Sequence, residues 1–329
     1  MKKIAAGAAF LLFAVLFLVL IQPKQTCGRD MLFVTITENN SVAAFDLEGN
    51  LLKETAVGVK PRGIVARPDS NEIYVANSGS SDVSVIDSCN LEEKARIKAG
   101  KFPADVAFSP DGKVAYVTNR DSHYVSVIDT LNRTENKKIE VGSEPLRIAF
   151  QDGLLYVSNY VSVSVIDTGN NSETARIHIG KALQDIEPAG DLVYVGNRHA
   201  QAVTAINASS KAIEFTIENI TNKGNTVDSL TYLPSEKALL VADFTSGLLQ
   251  KMDKKGDLQG RIYIDRHPVA IGADLKKGLA YIVSYGEYDL DPKKRENGMI
   301  TIINFTSMEI ARTFGAGKYS AGDIEFVEG

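Results

Sequence analysis

A beat of about forty residues runs through this chain and constrains its fold more than any other feature. An aromatic-Val pair recurs in Leu32-Phe33-Val34, Ile73-Tyr74-Val75, Ala115-Tyr116-Val117, Leu155-Tyr156-Val157 and Val193-Tyr194-Val195, with weaker copies at Leu239-Leu240-Val241 and Ala280-Tyr281-Ile282. The positions 33, 74, 116, 156, 194, 240 and 281 lie 41, 42, 40, 38, 46 and 41 residues apart, the period of a four-stranded blade. A second landmark keeps the same time: Ala44-Phe45-Asp46, Val85-Ile86-Asp87, Val127-Ile128-Asp129, Val165-Ile166-Asp167, Ala205-Ile206-Asn207, Lys251-Met252-Asp253 and Ile302-Ile303-Asn304. Seven copies of each predict an all-β, seven-bladed β-propeller of four-stranded antiparallel blades.

The unit from Ala104 to Gly142 reads as strands over Asp105–Phe108, Val114–Asn119, Tyr124–Asp129 and Lys138–Val141. Ser109-Pro110-Asp111-Gly112 supplies the turn chemistry between the first two. The first unit begins at its second strand, and Gly322-Asp323-Ile324-Glu325-Phe326-Val327 at the other end matches the missing inner strand. The ring is therefore expected to close by pairing N- and C-terminal strands, which removes a free sheet edge.

Tyr116-Val117-Thr118-Asn119 followed by Val125-Ser126-Val127-Ile128-Asp129-Thr130 resembles the repeat of the YVTN-family propellers. The likeness is specific in the second to fifth units, decays in the sixth and seventh, and covers residues 31–329. It implies kinship with archaeal surface-layer and bacterial periplasmic propellers, and a more distant one with propellers that hold haem d1 or hydrolyse lactones. A shared fold hosts many functions, so the likeness argues for architecture rather than activity.

Before the repeats, Met1-Lys2-Lys3 leads into the uncharged apolar run Ile4 to Ile21. The organisation expected is a signal-anchor or signal peptide over 1–23, forming one apolar helix, a linker over 24–30 and the propeller over 31–329. The run is longer than a typical cleaved signal and lacks a small-x-small site, which favours an uncleaved anchor. A cleaved signal and a lipid on Cys27 are the alternatives. Lys2 and Lys3 put the N-terminus inside and the propeller outside the cytoplasm, at a cell surface or in a periplasm; cleavage would make it secreted.

Two features agree with an outside location. Asn-x-Ser/Thr triplets stand at Asn39, Asn132, Asn170, Asn207, Asn219 and Asn304, candidate glycosylation sites unless they are simply turn residues. Cys27 and Cys89 are the sole cysteines. They are expected to form a disulfide, because the start of the first unit's second strand and the end of the next unit's third strand fall on one face of adjacent blades.

Propeller ligands sit in the funnel where loops from outer to inner strands meet loops joining second to third strands. There the sequence places a basic rim: Lys60, Arg62, Lys101, Arg120, Arg147, Lys181, Arg198, His199, Arg266, His267 and Lys318. Asp105, Asp185, Asp228 and Asp323 begin inner strands below it and suit backbone-amide capping. Such a rim on a chain of net charge -5 would draw an anionic ligand, a glycan or a protein partner, while the overall charge argues against nucleic acid. The long stretch between Ser284 and Met299 adds a candidate recognition loop. With four histidines, no Cys-x-x-Cys-His and no GxSxG, no catalytic residue, metal site or cofactor is assigned. The leading expectation is a binding or adhesion module; the alternative is a propeller enzyme with a lactonase-like or haem d1-related site in the funnel.

Overall fold

The computed structural model describes residues 27–218, 220, 226–264, 267–285, 298–317 and 321–329. The N-terminal segment, Asn219, Arg266, Lys318 and the 286–297 part of the long loop lie outside the described residues. Within them the chain forms seven four-stranded antiparallel sheets arranged as blades. The third blade runs through Pro103–Phe108, Val114–Asn119, Tyr124–Asp129 and Thr134–Glu140. Its outer strand starts earlier than the sequence reading had it. Most of its side chains face solvent and its pairing breaks at a bulge beside Val127 and Ile128, so hydrophobic alternation could not mark its start.

The aromatic-Val strands are second strands, sandwiched between neighbouring blades and buried along most of their length; Tyr74, Tyr156, Tyr194 and Tyr281 are wholly enclosed. Ring closure is as expected. Ala321–Val327 pairs antiparallel with Met31–Ile36, with Leu32 opposite Phe326 and Met31 opposite Val327. Phe326 stacks on Tyr281 at 5.4 Å, so the last strand also binds the seventh blade to the first.

The repeat motif has a physical explanation. The Asn ending a second strand donates to the third-strand Ser: Asn77 Nδ2 to Ser84 Oγ at 2.9 Å, Asn119 to Ser126 at 2.8 Å and Asn159 to Ser164 at 2.9 Å. Each is buried, where a polar group without partners is costly. The loop from the preceding outer strand lies over this pair, and it carries Gly58, Gly100 or Gly142 there because an added Cβ would stand within 2.7 Å of an atom of that Asn. At the opposite face the third-strand Asp closes a turn: Asp129 Oδ1 accepts from the amides of Leu131 and Asn132. Asn207 and Asn304 hold the corresponding turns in the same way, so these two acceptor triplets have a turn-forming reason to exist. Asn39, Asn132 and Asn170 are exposed.

Cys27 and Cys89 form the disulfide, with Cα atoms 4.9 Å apart, tying the start of the first blade to the turn after the second blade's third strand. That turn lies on the face opposite the funnel. Among the described residues the helical content is a single 3-10 turn, Arg120–Ser122, and no helix is long and apolar enough to cross a membrane.

Candidate functional site

Two sets of loops build the funnel wall. A residue in the loop leading to the inner strand takes a left-handed conformation at Lys60, Phe102, Glu144, Ala182 and His267, with φ between 51° and 58°. Its carbonyl accepts from the residue that follows the neighbouring second strand: Ser78 N to Lys60 O at 3.0 Å, Arg120 N to Phe102 O at 2.9 Å, Arg198 N to Ala182 O at 3.1 Å and Tyr285 N to His267 O at 3.0 Å. The side chains after the second strands, Arg120, Tyr160, Arg198, Phe244 and Tyr285, are thereby set around the mouth on fixed backbone.

They form a basic and aromatic surface. Phe102 lies beneath two guanidinium groups, Arg62 at 4.8 Å and Arg120 at 5.2 Å from its centroid, distances typical of cation–π contact. Arg198 covers Phe244 at 5.6 Å, and Phe244 in turn meets the His267 ring at 4.6 Å and Tyr285 edge-on at 6.3 Å. A cavity of about 270 Å³ opens between Arg62, Phe102, Arg120, Tyr160, Gln184 and Arg198. A deeper one of about 90 Å³ lies toward the ring axis between Arg62, Arg147, Gln184, Tyr285 and Asp323.

Charge compensation differs sharply among the arginines. Arg120 pairs with Glu144, and Arg198 stands 3.9 Å from Asp228. Arg62 has no carboxylate partner among the described residues. Its head reaches solvent but is recessed in the funnel, and that partial burial, reinforced by Arg147 and Arg120 and opposed by Tyr285, holds its pKa below the ordinary arginine value.

Arg147 corrects the sequence reading, which placed it on the rim. It sits in the second position of the short Leu146-Arg147-Ile148 entrance to the inner strand, the place that Asp105 and Asp323 occupy in their blades, and so points to the axis. Its Nη1 lies 2.6 Å from Asp323 and 3.7 Å from Asp105. Burial by itself would lower its pKa, yet Asp323, Asp105 and Asp185 raise it above normal. The axial carboxylates also staple blades together, as expected of amide-capping aspartates. Asp105 accepts from Ile148 N at 3.1 Å and Asp185 from Leu230 N at 2.8 Å, each in the next blade. Burial pushes Asp105 up to about 7 and raises Asp185 and Asp228.

The predicted rim therefore divides. Arg62, Arg120 and Arg198 line the funnel together, with Arg147 below. Lys60, Lys101 and Lys181 are exposed on the same loops and line neither cavity. His199 is exposed beside Arg198, and His267 is part of the aromatic wall. His178 is the exposed last residue of the outer strand Ser172–His178. The aromatic wall itself escaped the sequence reading. A family model described as the cytochrome D1 heme domain matches residues 64–254. No curated protein matches the chain. Among solved structures the chain resembles one of Kuenenia stuttgartiensis hydrazine synthase, with TM-score 0.71 and 19% identity over 88% of this chain and 93% of that one. At that identity the likeness is one of fold. Of the functional readings that the sequence left open, the family match favours the haem d1-related one over adhesion.

Proposed function

Because this chain belongs to the cytochrome D1 heme domain family, we propose that its funnel holds a flat tetrapyrrole carrying carboxylates, of the haem kind for which the family is named. The observation that carries the reading is Arg62, a cation with no carboxylate partner among the described residues, facing the same cavity as Arg120 and Arg198. Guanidinium groups hold carboxylates through paired, charge-assisted hydrogen bonds. Phe102, Tyr160 and Phe244 offer aromatic surface to a planar ring, and His199 and His267 bring imidazoles, a donor type that ligates haem iron, to the funnel loops. The donor set on this face thus suits such a group. When bound, a haem supplies a redox-active iron that takes a small ligand. The chain's own part is to fix the ring's carboxylates through Arg62, Arg120 and Arg198, to cover its faces, and to present an imidazole at the wall.

The disulfide supports placing the propeller in an oxidising compartment outside the cytoplasm. Cys27 enters on the face opposite the funnel, so an N-terminal anchor would leave the site open to solution.

Titrating the purified chain with haem and following its visible absorbance tests the reading. A saturable change in the main band is expected, weakened about tenfold or more in the R62Q/R120Q/R198Q variant and altered in spectrum by His199→Ala or His267→Ala. A spectrum of free haem at every protein concentration would overturn it.

A further inference from the structure

The outer strands of the blades are sheet edges, and one of them differs from the rest. Among the described residues each pairs only with its own third strand, which leaves a row of backbone N–H and C=O groups open to another chain unless charges guard it. In the second, third and fourth blades the guard is an ion pair along the strand: Glu93 with Arg96 at 2.9 Å, Glu135 with Lys138 at 3.6 Å and Glu173 with Arg176 at 2.7 Å. The fifth blade's outer strand, Ile213–Ile217, has Ile213 in the glutamate position, opposite Ile206, and Thr216 in the cation position, opposite Thr204. Among the seven outer strands it alone carries no lysine or arginine. Ile213 is 45% exposed, Glu214 and Thr216 are exposed, and Phe215 and Ile217 are half-buried against the core between the fifth and sixth blades.

The run Ile213-Glu214-Phe215-Thr216-Ile217 is complementary to itself when set antiparallel about Phe215. Ile213 then stands opposite Ile217, Glu214 opposite Thr216 and Phe215 opposite its own copy. Apolar side chains meet on one side of the joined strands, and on the other each carboxylate meets a hydroxyl that can donate to it. The same operation on Glu92–Lys98 sets Lys94 against Arg96, and on Thr134–Glu140 it sets Lys137 against itself, like charges that oppose pairing.

We infer that Ile213–Ile217 is a self-association edge, which pairs antiparallel with the same strand of a second copy and joins two four-stranded blades into one continuous sheet by a two-fold contact. Antiparallel pairing turns one ring over relative to the other. The two funnels therefore open in opposite directions and neither is covered, while the two Cys27 ends lie on opposite faces of the pair, so the dimer is one of rings not held at a common membrane. A strand of 5 residues buries less than the roughly 1,200 Å² of stable complexes, so association is weak and needs high protein concentration. The inference does not depend on what the funnel binds.

The experiment is sedimentation velocity of the full chain in a density-matched mild detergent, which keeps the apolar run Ile4 to Ile21 from associating by itself. Between about 10 and about 500 µM the wild-type sedimentation coefficient should rise from that of a monomer toward that of a dimer. Thr216→Glu sets two like-charged pairs with Glu214 at the contact and should weaken dimerisation about tenfold or more. Adding Glu214→Lys makes both pairs oppositely charged and should restore it, a recovery that a merely structural effect of T216E would not give. Arg96→Glu, on the second blade's outer strand, should leave association unchanged. Thr216 is exposed, so T216E should fold, and its circular dichroism gives the check; Ile213→Lys, also at an exposed position, stands as the second variant if it does not. The inference is overturned if wild type stays monomeric over the whole range, if T216E or I213K associates as wild type does, or if E214K/T216E fails to recover what T216E has lost.

Discussion

Arg147 in the fourth blade reaches Asp323 in the first across the ring, Nη1 to Oδ2 at 2.6 Å, joining the C-terminal inner strand to a blade on the far side. The same guanidinium lies 3.7 Å from Asp105 in the third blade. One cation therefore ties three blades at their axis. Removing one partner from a mostly buried pair leaves the other charges uncompensated, which costs about 3–5 kcal/mol. Arg147→Met should lower the unfolding free energy by about 3 kcal/mol or more, measured by urea denaturation, and adding Asp323→Asn should restore part of the loss. A loss below about 1 kcal/mol for the single variant would mean that the pair is solvated and structurally idle.

Stability should fall, not rise, as pH passes from about 5 to about 8. Glu187 and Glu325 accept from Tyr232 N and Ala66 N of the next blade, and burial among the inner strands pushes each up to about 8. A folded-state pKa above the unfolded one means that the native protein binds more protons between those values. Their contribution is complete below the ordinary carboxyl range and is lost as pH climbs toward 8, and Asp105, at about 7, acts with the same sign. Glu187→Gln with Glu325→Gln copies the neutral form and keeps the amide contacts. Melting curves of this double variant should change less between pH 5.5 and 8.5 than those of wild type; parallel curves would refute the assignment.

Removing the last strand should unfold the ring as a whole. Ile324 belongs to the core between the seventh and first blades and Val327 to that between the first and second, so a chain ending at Ser320 exposes two interfaces and a sheet edge at once. Its cooperative melting transition should shift down strongly or vanish. Retention of the full-length transition would show that the terminal pairing contributes little.

The fold was legible because one solution recurs from blade to blade, as in the third: Asn119 with Ser126, Asp129 closing its turn, Gly100 in the loop over the pair. Terminal closure followed from the likeness of Gly322–Val327 to Ala104–Phe108, and the disulfide from the faces on which Cys27 and Cys89 fall. The site was legible only in part. Arg147 falls in the repeat column of Asp105 and Asp323, so aligning Gly142–Ile148 with Gly100–Val106 would have moved it from the rim to the axis. The aromatic wall left a signal that could have been used, since Tyr160, Phe244 and Tyr285 occupy the same repeat column as Arg120 and Arg198. Glu187 and Glu325 left none, because their character comes from backbone amides of neighbouring blades.

The two halves of the basic rim should separate by experiment. Lys60, Lys101 and Lys181 are exposed and outside both cavities, so they can attract a polyanion only through solvent, where screening acts within about 8 Å at physiological ionic strength. Arg62, Arg120 and Arg198 converge on one cavity and can bind directly. Changing the three lysines to Glu should let the chain elute from an anionic resin at lower salt while leaving haem affinity within about twofold, because exposed charges are worth little to a site they do not touch. The R62Q/R120Q/R198Q variant should lose haem affinity instead, with less change in its elution. Equal losses in both assays from both variants would mean that the funnel acts as one diffuse basic surface, and that the arginines hold no ligand of their own.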